Sequence, residues 1–169
     1  MNPIATLHMA NGRNIVIELL PESAPNTVNS FIYTASRGYL DHHAIERIVP
    51  GNWVDVSYTA FGKKECRYLI PNEFELNPDV VPLDSHPGAV CMGGYGEAGL
   101  AGCEFFFPLR DCPDHKGIYP VFGRVLEGMD ELYRLEKVET VPVTDFPIEG
   151  VEVRSEERRV GKECRSRWS

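Results

Sequence analysis

The chain has 169 residues, 43% of them hydrophobic, and a formal net charge of −8 at pH 7. These values indicate one globular domain and exclude a disordered chain. The acidic balance argues against DNA or RNA as a main partner, because phosphate binding needs a basic surface. No apolar run approaches the roughly 18 residues that span a bilayer, and residues 1–6 lack the basic start and apolar core of a signal peptide. We therefore expect a cytoplasmic protein that binds neither nucleic acid nor membranes.

Short strands bounded by Pro, Gly, Asn and Ser are the main local prediction. In chain order they are expected at residues 4–9, 14–19, 44–49, 53–58, 88–92, 104–107, 119–125 and 148–153. Asn11-Gly12 lies between the first two strands and predicts a hairpin in which both turn residues adopt positive φ. Residues 60–87 are rich in Pro and Asn and are expected to be mostly loop.

Two helices are expected between these strands. Ser23 can cap the first, Pro25 fits its first turn and Gly38 its end. The second covers about residues 129–138, where leucines recur at helical spacing. Many short strands with two separated helices favour a closed antiparallel β-barrel with helices covering its ends, formed by residues 1–154.

Residues 155–169 differ from the rest of the chain. They carry five basic and three acidic residues, a balance of +2, and no hydrophobic period. The segment resembles translated vector or adapter sequence, so it is left out of the predicted fold and function. The alternative interpretation is a native basic tail that binds an acidic surface.

The cysteines are odd in number and irregularly spaced: Cys66, Cys91, Cys103, Cys112 and Cys164. Free thiols in a reducing compartment are expected rather than a disulfide framework. Cys112, His115 and the pair His42-His43 could hold a metal, but no Cys-x-x-Cys spacing supports this, and neither a metal nor a cofactor is expected. Redox sensing through Cys91 or Cys103 is a hypothesis that rests only on the number of thiols.

One arginine stands inside an apolar strand. Arg47 lies within residues 44–49, and the chain then turns at Pro50-Gly51 into the next strand. A guanidinium on a half-buried strand is costly unless it has a partner or a function. Arg47 is therefore either a structural ion-pair partner of Asp55 or Glu104, or a functional group.

A carboxylate and three aromatic rings follow one another in residues 104–107. Alternation along a strand sends Phe105 and Phe107 to one face and Phe106 to the other, so one face is ordinary core. An arginine beside an aromatic pocket suits recognition of a neutral, partly apolar group better than acid–base chemistry. Residues 94–99 match G-x-G-x-x-G, but they lead into another strand rather than a helix, which favours a substrate-facing loop over a dinucleotide site.

Four segments match motifs of one known family. Pro25–Phe31 is similar to Pro-x-Thr-x-x-Asn-Phe, Arg47–Gly51 to Arg-x-[Ile/Val]-x-Gly, and Phe105–Phe107 to Phe-Phe-Ile. Val121–Met129 is similar to Val-Phe-Gly-Lys-Val-x-x-Gly-Met and is the most specific match. Over about residues 4–153 the chain thus resembles the cyclophilins, a barrel family of peptidyl-prolyl cis-trans isomerases.

The resemblance implies a monomeric enzyme that rotates X-Pro bonds in proline-containing peptides and unfolded proteins during folding. It implies Arg47 as the catalytic residue. It implies substrate-binding positions at Phe106, Trp53, Glu104, Asp55, Gly93, Gly94, Tyr119, His115 and Asn52. In that arrangement Phe106 and Trp53 hold the proline ring, and the backbone of Gly93 and Gly94 holds the flanking peptide as an extended strand.

The chain departs from the family pattern mainly at the site. Glutamines that the family places near its arginine are Asp55 and Glu104 here, and the family's pocket histidine falls near Tyr119. If both carboxylates face Arg47, a bidentate pair would orient the guanidinium and occupy its donors. We then expect reduced activity on generic proline peptides, or a preference for substrates with a basic residue near proline. The alternative function is a catalytically weak module that binds proline-containing segments.

Overall fold

The computed structural model describes residues 1–45, 47–56, 63–140 and 151–159. For Ala44 and for residues 151–159 it describes the backbone alone. Within these ranges the strands are β1 (Ile4–Met9), β2 (Asn14–Leu19), β3 (His43–Ile45), β4 (Arg47–Val49), β5 (Trp53–Asp55), β6 (Leu69–Ile70), β7 (Ala89–Gly94), β8 (Leu100–Pro108), β9 (Val121–Glu127) and β10 (Val151–Arg159). The helices are α1 (Pro25–Ser36), α2 (Glu73–Leu76) and α3 (Met129–Glu136).

The strands form one antiparallel sheet in the order β3-β10-β1-β2-β9-β7-β8-β5-β4, with β6 paired to β8. The two ends of this order, β3 and β4, are consecutive along the chain. The sheet therefore curls round a shared core, and the predicted mainly-β barrel class is confirmed. No helix within the described ranges has the length and apolar character to cross a membrane.

Phe31 joins helix α1 to the core. Its ring lies 5.3 Å from the Phe105 ring in β8 and 5.5 Å from the Phe122 ring in β9. Phe107 belongs to the same core, whereas Phe106 lies in a separate small cluster on the opposite face of β8. The predicted alternation is thus confirmed. Strand β8 begins four residues earlier than predicted and is buried along its whole length, because both of its faces are covered.

The predicted cap of the first helix is wrong. The residue before α1 is Ala24 rather than Ser23, and it provides no side-chain cap. The buried carboxylate of Glu73, from α2, accepts hydrogen bonds from the backbone N–H groups of Asn26 at 3.2 Å and Thr27 at 3.0 Å. A carboxylate at this position also complements the positive end of the helix dipole. The cap is therefore supplied by a residue distant in sequence.

The β1–β2 hairpin is confirmed, but its turn is not the predicted one. Gly12 adopts a φ of 86°, whereas Asn11 is not among the residues with positive φ. The Met9 N–H donates to the Arg13 carbonyl at 2.9 Å, and the Asn11 side chain accepts from the Arg13 N–H at 3.0 Å. The turn therefore contains more than two residues. The hydrogen bond accepted by the Asn11 side chain holds this turn, so Asn11 does not need the positive φ that was predicted for it.

The last strand extends beyond the predicted domain boundary at residue 154. Strand β10 pairs with β1 up to the register Ile4 opposite Arg159, so the backbone of residues 155–159 belongs to the sheet. The origin of residues 155–169 stays a prediction. Residues 148–150 of the predicted closing strand, and 57–58 of an earlier one, lie outside the described residues.

Candidate active site

Three neighbouring strands align the central residues of the candidate site. Arg47 in β4 lies opposite Asp55 in β5, and Asp55 lies opposite Phe106 in β8. Residues directly opposite one another in an antiparallel sheet project from the same face. The short β4–β5 hairpin therefore places a guanidinium, a carboxylate and an aromatic ring in one row across the sheet.

This row opens into a cavity of about 170 Å³. Nine of the ten predicted site residues line it, together with one residue that was not predicted. The lining consists of Arg47, Trp53, Asp55, Gly93, Gly94, Tyr95, Glu104, Phe106, His115 and Tyr119. The structure thus brings together residues that are far apart in sequence, while their roles in binding stay predictions.

Asn52 is the predicted site residue that the structure does not bring to this cavity. It precedes Trp53 in the turn between β4 and β5. Its side-chain oxygen accepts a hydrogen bond from Arg110 Nε at 2.6 Å, and its carbonyl accepts from the Leu109 N–H at 2.8 Å. Asn52 thus makes structural contacts beside the turn, and its assignment to substrate binding stays a prediction.

Arg47 is held by Asp55 and lies near an indole. Its Nη1 donates to Asp55 Oδ2 at 2.9 Å, and its guanidinium carbon lies 5.9 Å from the Trp53 ring centroid. Burial raises the pKa of Asp55 to about 6, although the charge and hydrogen bond of Arg47 oppose that rise. The pair fixes the guanidinium at the edge of the cavity.

Glu104 has a different environment from Asp55. Its Oε2 accepts a hydrogen bond from the Tyr95 hydroxyl at 2.5 Å, and the described residues provide no hydrogen bond to its buried Oε1. Burial raises the pKa of Glu104 to about 7, and the nearby charge of Asp55 adds to the rise, although the hydrogen bond from Tyr95 and the charge of Arg47 oppose it. The expectation that both carboxylates would pair with Arg47 is therefore met by Asp55, whereas Glu104 bonds to Tyr95.

Aromatic rings form the apolar wall of the cavity. Phe106 is buried, and its ring centroid lies 6.2 Å from Trp53, 5.7 Å from Tyr119 and 5.8 Å from His115. His115 comes from a 3-10 turn, and burial lowers the pKa of its imidazole. The wall is thus built largely from neutral rings, which suits an apolar ligand group.

Two glycines at the end of β7 keep the cavity open. A Cβ atom at Gly94 would lie 3.3 Å from a Leu100 methyl carbon and 3.6 Å from the Tyr119 ring. A Cβ atom at Gly93 would lie 3.2 Å from the Glu104 carbonyl oxygen. Larger residues would therefore crowd this wall.

Tyr95 is the lining residue that sequence reasoning missed. It follows Gly94 in the loop between β7 and β8, with 49% of its surface exposed. The available signal was an aromatic residue flanked by glycines in a loop already expected to face a substrate. A 3-10 turn and strand β8 follow it, in agreement with the rejection of a dinucleotide-binding helix.

The four cysteines in the described ranges are buried free thiols: Cys66, Cys91, Cys103 and Cys112. Burial raises the pKa of the Cys91 thiol to about 12 and also raises that of Cys112. Thiols of this kind react slowly, which argues against redox sensing. Within the described part of the chain, no three His, Cys, Asp or Glu side chains gather as metal ligands.

The chain is similar to known proteins in both sequence and fold. The family model for cyclophilin type peptidyl-prolyl cis-trans isomerases matches residues 4–157. Peptidyl-prolyl cis-trans isomerase-like 1 of Gibberella zeae is 31% identical over 140 residues, which cover 83% of this chain and 85% of the relative. The mouse peptidylprolyl isomerase domain and WD repeat-containing protein 1 is 30% identical over 88% of this chain, but the match spans only 23% of that longer protein.

A crystal structure of a Cryptosporidium parvum cyclophilin type peptidyl-prolyl cis-trans isomerase superimposes with a TM-score of 0.79 at 20% identity, covering 95% of this chain and 99% of that one. A second structure of that protein was determined in the presence of the dipeptide Ala-Pro. At this identity the likeness establishes the fold. Since the family model covers most of the chain and a relative of similar length exceeds 30% identity, the chain belongs to the cyclophilin type peptidyl-prolyl cis-trans isomerase family.

Proposed function

We propose that the chain is a peptidyl-prolyl cis-trans isomerase that lowers the barrier to rotation about X-Pro bonds. That barrier is about 18–20 kcal/mol, because amide resonance must be broken. Rotation requires no nucleophile, since no covalent bond is made or lost. The observation that carries the proposal is the position of Arg47 beside the apolar wall of the cavity, in a chain of this family.

In the proposed mechanism Arg47 donates an N–H to the proline nitrogen of the twisted amide. In either planar isomer the nitrogen lone pair is delocalised and accepts poorly, whereas twisting restores the lone pair. A donor fixed at this position therefore binds the twisted state more strongly than either planar state, which is differential binding of the transition state. The ion pair with Asp55 holds the donor in place.

The proline ring is proposed to lie against Phe106 and Trp53, whose rings are 6.2 Å apart. Contact with these rings excludes water from the reacting bond, and a lower local dielectric strengthens the hydrogen bond from Arg47. The backbone of Gly93 and Gly94 is proposed to hold the flanking peptide as an added strand.

The proposed substrates are proline-containing peptides and unfolded proteins. The Ala-Pro dipeptide present with the Cryptosporidium protein supports X-Pro as the unit to test first. We also propose a monomer in the cytoplasm without nucleic acid or membrane partners. The net charge of −8 and the buried free thiols support this location and partner range.

The second candidate function is a binding module with little turnover. It is favoured by the ion pair itself, because a guanidinium that donates to Asp55 is a weaker donor to a neutral nitrogen. Such a module would grip proline-containing segments through the same aromatic wall without accelerating their isomerisation.

The rate of cis-trans exchange in X-Pro peptides distinguishes these functions. X would be Lys, Ala, Phe or Glu, and exchange would be followed by NMR with wild type and Arg47→Ala. The matched control is Arg124→Ala, because Arg124 pairs with Glu18 and is 63% exposed outside the cavity. Acceleration that collapses only in Arg47→Ala is expected. Saturable peptide binding by the folded wild type without any acceleration would favour the binding module.

A further inference from the structure

Glu104 presents a buried carboxylate oxygen to the cavity. The residue is 8% exposed, and the described residues give its Oε1 no hydrogen-bond partner. Buried polar atoms are nearly always satisfied, so an exception in a cavity points to a group that arrives with a ligand. A carboxylate oxygen accepts hydrogen bonds and prefers a cationic donor.

The charge of Glu104 is only partly compensated: the charge of Arg47 acts on it without forming an ion pair. Asp55 shares an ion pair with Arg47, whereas the described residues provide no ion pair to Glu104. Tyr95 donates to Glu104 but carries no charge, and burial lowers the pKa of His115 on the aromatic wall, which favours its neutral form. An ionised carboxylate in such a place favours the entry of a cation.

We propose that Glu104 is a specificity residue that binds the ammonium or guanidinium group of a Lys or Arg within two positions of the substrate proline. The proposal adds a substrate preference to the proposed isomerase function. It rests on that function only in that the bound peptide contains proline. Glu104 and Phe106 lie two residues apart on the same side of β8. That spacing is about 7 Å, which is within reach of a Lys or Arg side chain next to a proline held against Phe106.

Tyr95 acts as the positioning residue for this carboxylate. Its hydroxyl engages Oε2 at 2.5 Å and leaves Oε1 available to the ligand. Tyr95 is half exposed and lines the cavity together with Glu104. Loss of the Tyr95 hydroxyl alone should therefore weaken the preference for a cationic side chain, because the charge of Glu104 remains but the carboxylate is no longer held in position.

The test compares paired peptides that differ in one side chain. Lys and Gln would be placed in turn at each of the two positions before proline and at the position after it. Wild type, Glu104→Gln and Tyr95→Phe would be titrated with each peptide near about pH 8, where Glu104 is ionised, and affinity and exchange rate would be measured by NMR. The control is Asp130→Asn, which removes a negative charge from an exposed ion pair outside the cavity.

We expect wild type to bind at least one Lys peptide roughly tenfold more tightly than its Gln partner, the scale of one hydrogen bond to a charged group. The ratio of the Gln-peptide Kd to the Lys-peptide Kd should fall to about one in Glu104→Gln. It should fall partly in Tyr95→Phe and persist in Asp130→Asn. A ratio that persists in Glu104→Gln, or a wild type that prefers no Lys peptide, would overturn the inference. The affinity ratio tests the role of Glu104 even if the protein does not catalyse exchange. Failure of the proposed isomerase activity is therefore distinguishable from failure of this inference.

Discussion

Asp55→Asn is expected to stabilise the fold at neutral and alkaline pH. Burial raises the pKa of Asp55 from 3.8 to about 6, even though Arg47 opposes the rise. The folded protein thus holds this proton more tightly than the unfolded chain. The carboxyl therefore favours folding fully below pH 3.8, and that contribution is lost as the pH rises through 6. At about 1.4 kcal/mol per pKa unit, the loss is about 3 kcal/mol.

The neutral amide of Asn resembles the protonated carboxyl and does not titrate. Urea unfolding of both proteins should therefore give similar free energies near about pH 4 and a difference approaching about 3 kcal/mol in favour of the variant near about pH 8. The control Asp130→Asn removes a carboxylate that is 78% exposed and should show a small difference at both pH values. An Asp55→Asn variant that is less stable than wild type near about pH 8 would refute the reasoning, because the ion pair with Arg47 would then outweigh the burial of the carboxylate.

Three further predictions concern other parts of the molecule. Glu73→Gln weakens the cap of α1 and should lower the free energy of unfolding, measured by urea denaturation, by about 1–3 kcal/mol. The control Glu75→Gln, at an exposed neighbouring position, should change it little. Cys91 should resist alkylation in the native protein and react after unfolding, as mapped by mass spectrometry, since it is buried and its thiol pKa is about 12; rapid native labelling would contradict this. The preference for Lys over Gln peptides should be full well above pH 7 and lost below it, because burial raises the pKa of Glu104 to about 7; a preference that does not change with pH in titrations would contradict that assignment.

The strand pattern could be predicted because alternation is a local property. Phe105, Phe106 and Phe107 must face alternate sides in any strand, and the structure places them so. The turn at Asn11 was less predictable, because an Asn-Gly pair is compatible with several turn geometries. The side chain of Asn11 selected one of them through its hydrogen bond to Arg13.

The cap of α1 could not be predicted from nearby residues. Ser23 was the local candidate, but the donors of the helix are satisfied by Glu73, which lies 46 residues away from Thr27 in sequence. Tertiary capping of this kind has no local sequence signal, since it depends on how the loop containing α2 folds back onto the helix.

The candidate site was likewise only partly predictable from the sequence. Arg47, Trp53 and Asp55 lie on one hairpin, so alternation and cross-strand pairing bring them together once the strands are known. The different partners of Asp55 and Glu104 depend on the position of Tyr95 in the loop after β7. Motif comparison identified both carboxylates as departures from the family pattern, but only the three-dimensional contacts show that Asp55 forms an ion pair with Arg47 and Glu104 does not.

The most direct test of the central claim measures affinity and catalysed exchange together for Arg47→Ala. An Ala-Pro peptide titrated into wild type and variant, with NMR exchange spectroscopy, yields both quantities. If Arg47 acts on the twisted amide, the catalysed rate should fall by roughly 100-fold, while the Kd of the planar peptide changes by less than about threefold. Retained catalysis, or a loss of rate that follows entirely from weaker binding, would contradict the assignment of transition-state stabilisation to Arg47.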